Sequence, residues 1–233
     1  MTGKLYGVGV GPGDPDLITL RAQRLIAQAD VLAYPALAGT PSFARAIAAE
    51  HIAVTAREIV IDVPMTTERA PAQAAYDTGA AEIRAALEAG QDVVCLCEGD
   101  PFFYGSFMYL FARLRDTVEV EVVPGVSSVT ACAARAGLPL AARNERLTVL
   151  PGPLSEDELR ARIEGAESVA ILKVGRHLKK IRRVIDGLGL TARAVFVERA
   201  TLPRERICPL ADAPETAPYF SMILLVKGGD PWL

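Results

Sequence analysis

The sequence predicts an α/β protein of two α/β domains with mostly parallel or mixed sheets. Three observations predict it. Short apolar runs alternate with amphipathic stretches along the whole chain. The run VVCLC at residues 93–97 is apolar throughout, the pattern of a strand covered on both faces of a sheet. The rhythm then restarts after the Gly-Leu-Pro-Leu segment at 137–140, which sets the domains at 1–142 and 143–233. No low-complexity linker separates them, so a firm interface with a ligand cleft between the domains is expected.

KLYGVGV (4–10) reads as the first strand and LITLRAQRLIAQAD (17–30) as the first helix. VLAYP (31–35) reads as a short strand ended by Pro35, and PSFARAIAAEH (41–51) as helical. From Ala72 to Ala89 the helical period is clearest: Tyr76, Ala80, Ile83 and Leu87 share a face, and Gly90 closes the helix. After VVCLC come a helix around Ser106–Arg115, the strand VEVEVV (118–123) and a small-residue helix VSSVTACAARAG (126–137).

In the second half RLTVLPG (146–152) is a strand. SEDELRARIEG (155–165) is a helix with Ser155 and Glu158 set for a capping box. SVAILKVG (168–175), ARAVFVER (192–199) and YFSMILLVKG (219–228) are strands, with the helix HLKKIRRVIDGLG (177–189) after the first of them.

Bulk properties exclude several functions. The 233 residues are 51% hydrophobic and 23% charged. No apolar run reaches the ~18 residues a membrane span requires. The chain enters a strand pattern with no charged-then-apolar leader, so no membrane association and a cytoplasmic location are expected. The net charge is −3, with 11 Lys+Arg against 16 Asp+Glu in residues 1–143 and 14 against 12 in the rest. That balance is not one of a nucleic-acid binder. Cys95 and Cys97 lie two apart on one strand face, which is not zinc-ligand spacing. With Cys132 and Cys208 they read as small core hydrophobes. Nothing frames His51 or His177 as catalytic.

The segment GVGVGPGDPD (7–16) sits where a dinucleotide fingerprint would. Each possible G-x-G pair lacks its third glycine, which is replaced by Pro12, Asp14 or Asp16. Pro12 has no N–H to offer, and the aspartates put negative charge where a phosphate would sit. The loop therefore suits an adenosine without phosphate, or a cationic group; the alternative is a tight turn with Asp16 or Thr19 capping the helix. CEGDPFFYGS (97–106) is a second loop after a strand, with carboxylates at Glu98 and Asp100 and flat apolar surface at Phe102, Phe103 and Tyr104. VPGVSSV (123–129) is a third, with Ser127 and Ser128 at a helix start.

Together these loops resemble the tetrapyrrole methylase family: Gly9-Val10-Gly11-Pro12-Gly13-Asp14, then Gly99-Asp100-Pro101, then Val123 to Ser128 and Gly137 to Leu140. The resemblance covers essentially the whole chain. Within the family, PMTTERAPAQAAYDTGAAEI (64–83) and CEGDPFFYGSFMYL (97–110) are similar to the branch that methylates precorrin-2 at C-20. Glu98 stands where the uroporphyrinogen branch usually has glycine. The resemblance leaves open whether the substrate is cobalt-free or holds cobalt. It implies S-adenosylmethionine as methyl donor with no metal, a small-molecule tetrapyrrole substrate and a homodimer. It implies donor contacts, largely through backbone, at Pro12, Glu98, Gly99, Asp100, Phe103, Ser127 and Ser128, and in the second domain at Val174, Ala200 and Met222.

Asp100 is the expected donor-orienting contact, to ribose hydroxyls or the methionine ammonium. Asp14 would add favourable field, or simply bond its own turn. Candidate bases are Glu98, Glu68 and Tyr104, with no single essential base expected. Arg176, Lys179, Lys180 and Arg183 share a helical face and are candidates, with Arg69, for gripping substrate carboxylates; the alternative is a solvated basic face. A sensor module without activity and a methylase of a different acceptor are the competing readings. A nicotinamide dehydrogenase is disfavoured by Pro12 and Asp14.

Overall fold

The computed structural model describes residues 2–64 and 69–228. It divides into two compact units, 1–127 and 128–233. The first holds a five-stranded sheet in the order β3-β2-β4-β1-β5. Its strands are β1 (Leu5–Gly9), β2 (Val31–Leu37), β3 (Arg57–Val63), β4 (Val93–Cys97) and β5 (Val120–Val123), all parallel. Along β4 the side chains alternate between two cores. Val93, Cys95 and Cys97 join α3 (Arg69–Glu88) and α4 (Phe107–Leu114); Val94 and Leu96 join α1 (Leu20–Gln28) and α2 (Phe43–Ala48). A strand buried on both faces has no polar side to show, which is why VVCLC is apolar throughout.

The second unit begins with α5 (Ser128–Ala136) and holds a mixed sheet in the order β6-β7-β10-β8-β9. The strands are β6 (Leu147–Pro151), β7 (Ser168–Leu172), β8 (Ala194–Glu198), β9 (Arg206–Pro209) and β10 (Ser221–Val226). β6 and β7 run parallel; β10 is antiparallel to both β7 and β8, and β9 to β8. α6 (Glu156–Glu164) and α7 (Leu178–Gly187) cover one face and α5 the other. The Ser155–Glu158 capping box is formed in full.

The units divide after Ser127, ahead of the 142/143 boundary expected from the restart in rhythm. The reason is α5. Its Val129 and Cys132 pack on Ala170, Val197, Met222 and Leu224 of the second sheet. A helix that starts a sheet's apolar cover belongs to that sheet, whatever strand precedes it in the chain.

Two strands, β3 and β9, carry no strand reading in the sequence. Both are edges. An edge strand covers one ladder only, so it needs few apolar residues: in REIVIDV only Ile59 and Ile61 are buried. Pro35 does not end β2, which continues to Leu37. Beyond Ala33 β2 pairs with β3 alone, which leaves room for a residue without N–H. The first helix starts at Leu20, capped by the Thr19 hydroxyl, while Asp14 caps a 3-10 turn at Pro15–Leu17 by accepting from the Asp16 N–H at 3.0 Å. Asp14 is thus a turn residue.

α2 is tied to the edge by a three-group network. Arg45 forks onto Glu58 at 2.8 and 2.9 Å, and the buried Tyr34 hydroxyl donates to the same carboxylate. Burial, reinforced by Glu58, pushes the Tyr34 phenol up to about 12. Cys95, Cys97 and Cys132 are buried thiols, and Cys208 is half-buried. Burial pushes Cys132 up to about 12, and Cys95 further, so neither is a thiolate at neutral pH.

Gly7 makes room for a fully buried aromatic of the first core. A Cβ there would lie 2.2 Å from Cε1 of Phe107, which is fully buried. Gly7→Ala is expected to destabilise the fold by about 1–3 kcal/mol through overpacking. Adding Phe107→Leu should return part of that loss, as read from urea midpoints; additive losses would show that the two positions do not compete for the same space.

Candidate functional site

β1 and β4 are neighbours whose following helices leave to opposite faces, α1 to one core and α4 to the other. That is a topological switch point, where open α/β sheets hold ligands beyond the carboxyl ends of the strands. Here the crevice is closed by backbone. Gly11 and Gly99 form a two-bond antiparallel bridge: Gly11 N–H donates to Gly99 O at 3.2 Å, and Gly99 N–H donates to Gly11 O at 2.8 Å. These are amides a pyrophosphate would use, and both are spent. The loop chemistry thus agrees with the missing fingerprint.

The third loop closes on the other two with no side chain between them. A Cβ on Gly125 would lie 2.0 Å from Gly99 O, and one on Gly9 would lie 2.6 Å from Gly125 N. Three strand ends therefore meet through three glycines. Asp100 fastens the contact. Its Oδ2 accepts from Gly125 N–H at 3.1 Å, and its Oδ1 accepts from Phe102 and Phe103 N–H at 2.9 and 3.1 Å. The carboxylate is thus engaged with three backbone amides. It holds two loops together, at the position the sequence marked for a donor-orienting contact.

The turn that Asp100 organises presents aromatic surface. Phe102 is anchored edge-on to Phe111 at 4.9 Å, while Phe103 and Tyr104 stand as a T-shaped pair at 5.3 Å. Tyr104 has φ +58, a conformation L residues adopt only at a cost of ~1–3 kcal/mol. Glu98 comes directly after the buried strand. Its side chain is open to solvent, yet protein atoms crowd its carboxyl and push its pKa above 4.5. The open surface makes that rise smaller than crowding alone would give. Pro12 is half-buried in the first loop, Ser127 half-buried in the third, and Ser128 exposed on the first turn of α5.

In the second unit, β6, β7 and β8 end on the same side of their sheet, and β10 begins there. Val174 comes after β7, Ala200 after β8, and Met222 lies at the start of β10, so all three share one edge. The Val174 side chain is packed in the core under α6 and α7, and those of Ala200 and Met222 in the core under α5. Val174 and Ala200 therefore offer a ligand mainly backbone. The same edge is strained: Lys173, Arg199, Thr201 and Arg204 all have φ between +51 and +68. Strain of this kind collects where a loop is shaped for a ligand.

The basic face is mostly committed. Lys180 donates to the Leu154 carbonyl, and Arg183 pairs with Glu156. Arg176 remains exposed beside Val174, its Nε 3.4 Å from the His177 ring, where burial holds the histidine below its ordinary value. Lys179 is exposed one turn on, lining an open depression with Arg182, Arg183 and Glu215. Arg69 is exposed at the first turn of α3. Glu68 lies outside the described residues. The ion pair Arg135–Glu205, which bonds the loop after β8, had no sequence signal: its members are 70 positions apart. The exposed Tyr219 and Phe220, just before β10, belong to the same edge and also carried no motif. Among the described residues no helix is long and apolar enough to cross a membrane.

Comparison with known proteins agrees with this arrangement. The chain is 43% identical to a precorrin-2 C(20)-methyltransferase of Sinorhizobium sp over 96% of its own length and 95% of that protein. It is 33% identical to a cobalt-precorrin-2 C(20)-methyltransferase of Salmonella typhimurium, over 97% of this chain and 98% of the other. A uroporphyrin-III C-methyltransferase of Thermus thermophilus, solved with S-adenosylhomocysteine, superposes with a TM-score of 0.67 at 27% identity, covering 97% and 98% of the two chains. The family described as Tetrapyrrole (Corrin/Porphyrin) Methylases matches residues 4–214, and the chain belongs to that family.

Proposed function

We propose that the protein transfers a methyl group from S-adenosylmethionine to C-20 of precorrin-2, giving precorrin-3A in cobalamin synthesis. The observation that carries this reading is the end-to-end match, at 43% identity, to an enzyme of that name. The cobalt-containing substrate is the second reading, supported by the 33% match to its enzyme. The higher identity favours the cobalt-free substrate. The proposal extends to a homodimer working in the cytoplasm; a monomer mass in light scattering refutes the first.

The residues present fit such a donor. At the switch point the Gly11 and Gly99 N–H groups are spent on each other's carbonyls, which takes these two amides from a phosphate. Backbone carbonyls, the Glu98 carboxyl and the Phe103–Tyr104 pair instead suit a nucleoside without phosphate whose sulfur carries a positive charge. When bound, the sulfonium supplies an electrophilic methyl group that needs no metal or covalent enzyme intermediate.

The chain's task is then positional. Asp100 fixes the turn that carries Phe103, and the glycine contact fixes the three loops against each other. Holding reactants in line is worth ~7–11 kcal/mol of a barrier. Excluding water from the donor's sulfur favours transfer, and the exposed Phe103–Tyr104 pair supplies apolar surface for that. Arg176, exposed beside Val174, meets a substrate carboxylate. The reduced macrocycle is enamine-like at its meso carbon, so the proton released after transfer needs no dedicated base; Glu98 and Tyr104 assist at most.

Incubation of the purified protein with precorrin-2 and S-adenosylmethionine carrying a labelled methyl should place the label on the C-20 meso carbon by NMR. Label at another carbon, or transfer to the cobalt-containing substrate alone, replaces this substrate. Arg176→Ala should raise KM for precorrin-2 and spare affinity for S-adenosylhomocysteine; an unchanged KM returns Arg176 to a solvated face. Glu98→Gln should cost well under the ~10⁴-fold that marks an essential acid or base. Its effect on stability has a definite sign. The folded chain holds the Glu98 proton to higher pH than the unfolded chain, so ionisation at neutral pH opposes folding. Glu98→Gln should therefore raise the thermal midpoint at pH 7, and the gain should vanish as pH falls below 4.5, where both states are neutral.

A further inference from the structure

We propose that the Arg135–Glu205 ion pair is a positioning device for the loop at residues 199–205, and that through this loop it sets affinity for the methyl donor. The proposal rests on S-adenosylmethionine being that donor.

After β8 the chain makes two turns in succession. Leu202 N–H donates to Arg199 O at 3.0 Å, and Glu205 N–H donates to Leu202 O at 3.2 Å. In each turn the third residue has positive φ: Thr201 at +68 and Arg204 at +65. Glycine is the usual occupant of that position. A β-branched residue there is an outlier, because its Cβ meets the backbone in the left-handed region. Arg199, at +51, adds a third such residue within six positions.

The strain is held by one carboxylate. Oε2 of Glu205 accepts from Thr201 N–H at 2.7 Å, at the most strained residue. Arg135, on the last turn of α5, closes a fork on the same group: Nε lies 3.0 and 2.9 Å from Oε1 and Oε2, and Nη2 lies 2.6 Å from Oε1. The Glu205 side chain is only 15% exposed. Arg135 holds its carboxyl below the ordinary range, so it stays ionised at neutral pH.

α5 cannot carry Arg135 elsewhere, because Val129 and Cys132 seat the helix on β8 and β10. Ala200 belongs to the same apolar cluster. The loop is thus gripped on one side by packing and on the other by a charged fork. Glycine at position 201 would have removed the strain and the need for the pair. A threonine kept there by the Glu205 carboxylate gives the loop one shape, where glycine would allow several. Arg199 N–H also donates to Phe220 O at 2.9 Å, so that shape is passed on to the start of β10 and Met222.

The test measures S-adenosylhomocysteine affinity by calorimetry, methyl-transfer kinetics and thermal midpoint for the parent and for Arg135→Ala, Arg135→Lys and Glu205→Gln. Arg135→Ala and Glu205→Gln should each weaken S-adenosylhomocysteine binding about tenfold and raise KM for S-adenosylmethionine in step, with kcat changed by less than about threefold. Arg135→Lys should recover part of the affinity, since it keeps the charge but loses the fork. If Glu205→Gln does not fold, the two Arg135 variants carry the comparison. Lowered thermal midpoints with affinity within about twofold of the parent would make the pair merely structural and overturn the proposal. A parent that binds no S-adenosylhomocysteine defeats the donor reading and this proposal with it. A parent that binds it but leaves precorrin-2 unmethylated defeats the substrate reading alone, and the affinity comparison still decides this one.

Discussion

The C-terminal edge of the first sheet depends on glycines touching through their backbones. Gly9, Gly99 and Gly125 come from three different strand ends, and none tolerates a Cβ without something moving or strain: at Gly125 the added atom would lie 2.0 Å from Gly99 O, far inside contact distance, and Gly99 itself has φ +62. This contact shapes the rest of the edge. It brings Gly11 and Gly99 into a bridge, and it sets Gly125 N–H where Asp100 accepts from it. It also aims the turn bearing Phe103 and Tyr104 outward. A site of this kind is made by leaving side chains out, and its hydrogen-bond capacity is largely spent within itself.

The second unit solves the corresponding problem in the opposite way. Its strand-end loops are not glycine-rich; they force ordinary side chains into the left-handed region at Lys173, Arg199, Thr201 and Arg204. Freedom is absent from the start there, so rigidity comes from bonds that over-determine the backbone. Glu205 is the clearest of these, taking a fork from Arg135 and an amide from Thr201. Each edge, taken by itself, is a backbone surface whose shape is fixed from within its own unit.

Much of this was legible in the sequence. VVCLC could only be a strand covered on both sides, and Ser155 with Glu158 could only open a helix. The failure of the dinucleotide spacing at Pro12, Asp14 and Asp16 pointed away from phosphate; in the structure Asp16 N–H is turned to Asp14 Oδ1, and the Gly11 and Gly99 N–H groups pair with each other's carbonyls. What stayed hidden has physical reasons. β3 and β9 are edges and carry little apolar signal. Helical spacing placed Arg176, Lys179, Lys180 and Arg183 on one face, but spacing says nothing of the Leu154 carbonyl or Glu156, which take two of them out of reach. The sequence marked Asp100 for its place in the second loop, but its bond to Gly125 N–H, 25 positions away, has no local pattern to reveal it. Family resemblance supplied the positions of Val174, Ala200 and Met222, and topology then brought all three to one edge.

The Gly11–Gly99 bridge bears on how such a protein can change over time. Specificity written in side chains drifts one codon at a time. Here the edge is closed by two main-chain bonds between Gly11 and Gly99, held in place by the glycine contact beside them. Turning this edge into a nucleotide-phosphate site would take a change in loop length, an insertion that parts the two strand ends and frees their amides. Exposed side chains such as Arg176 can change without touching that backbone edge. A fold built like this can diversify its substrates while its donor stays the same.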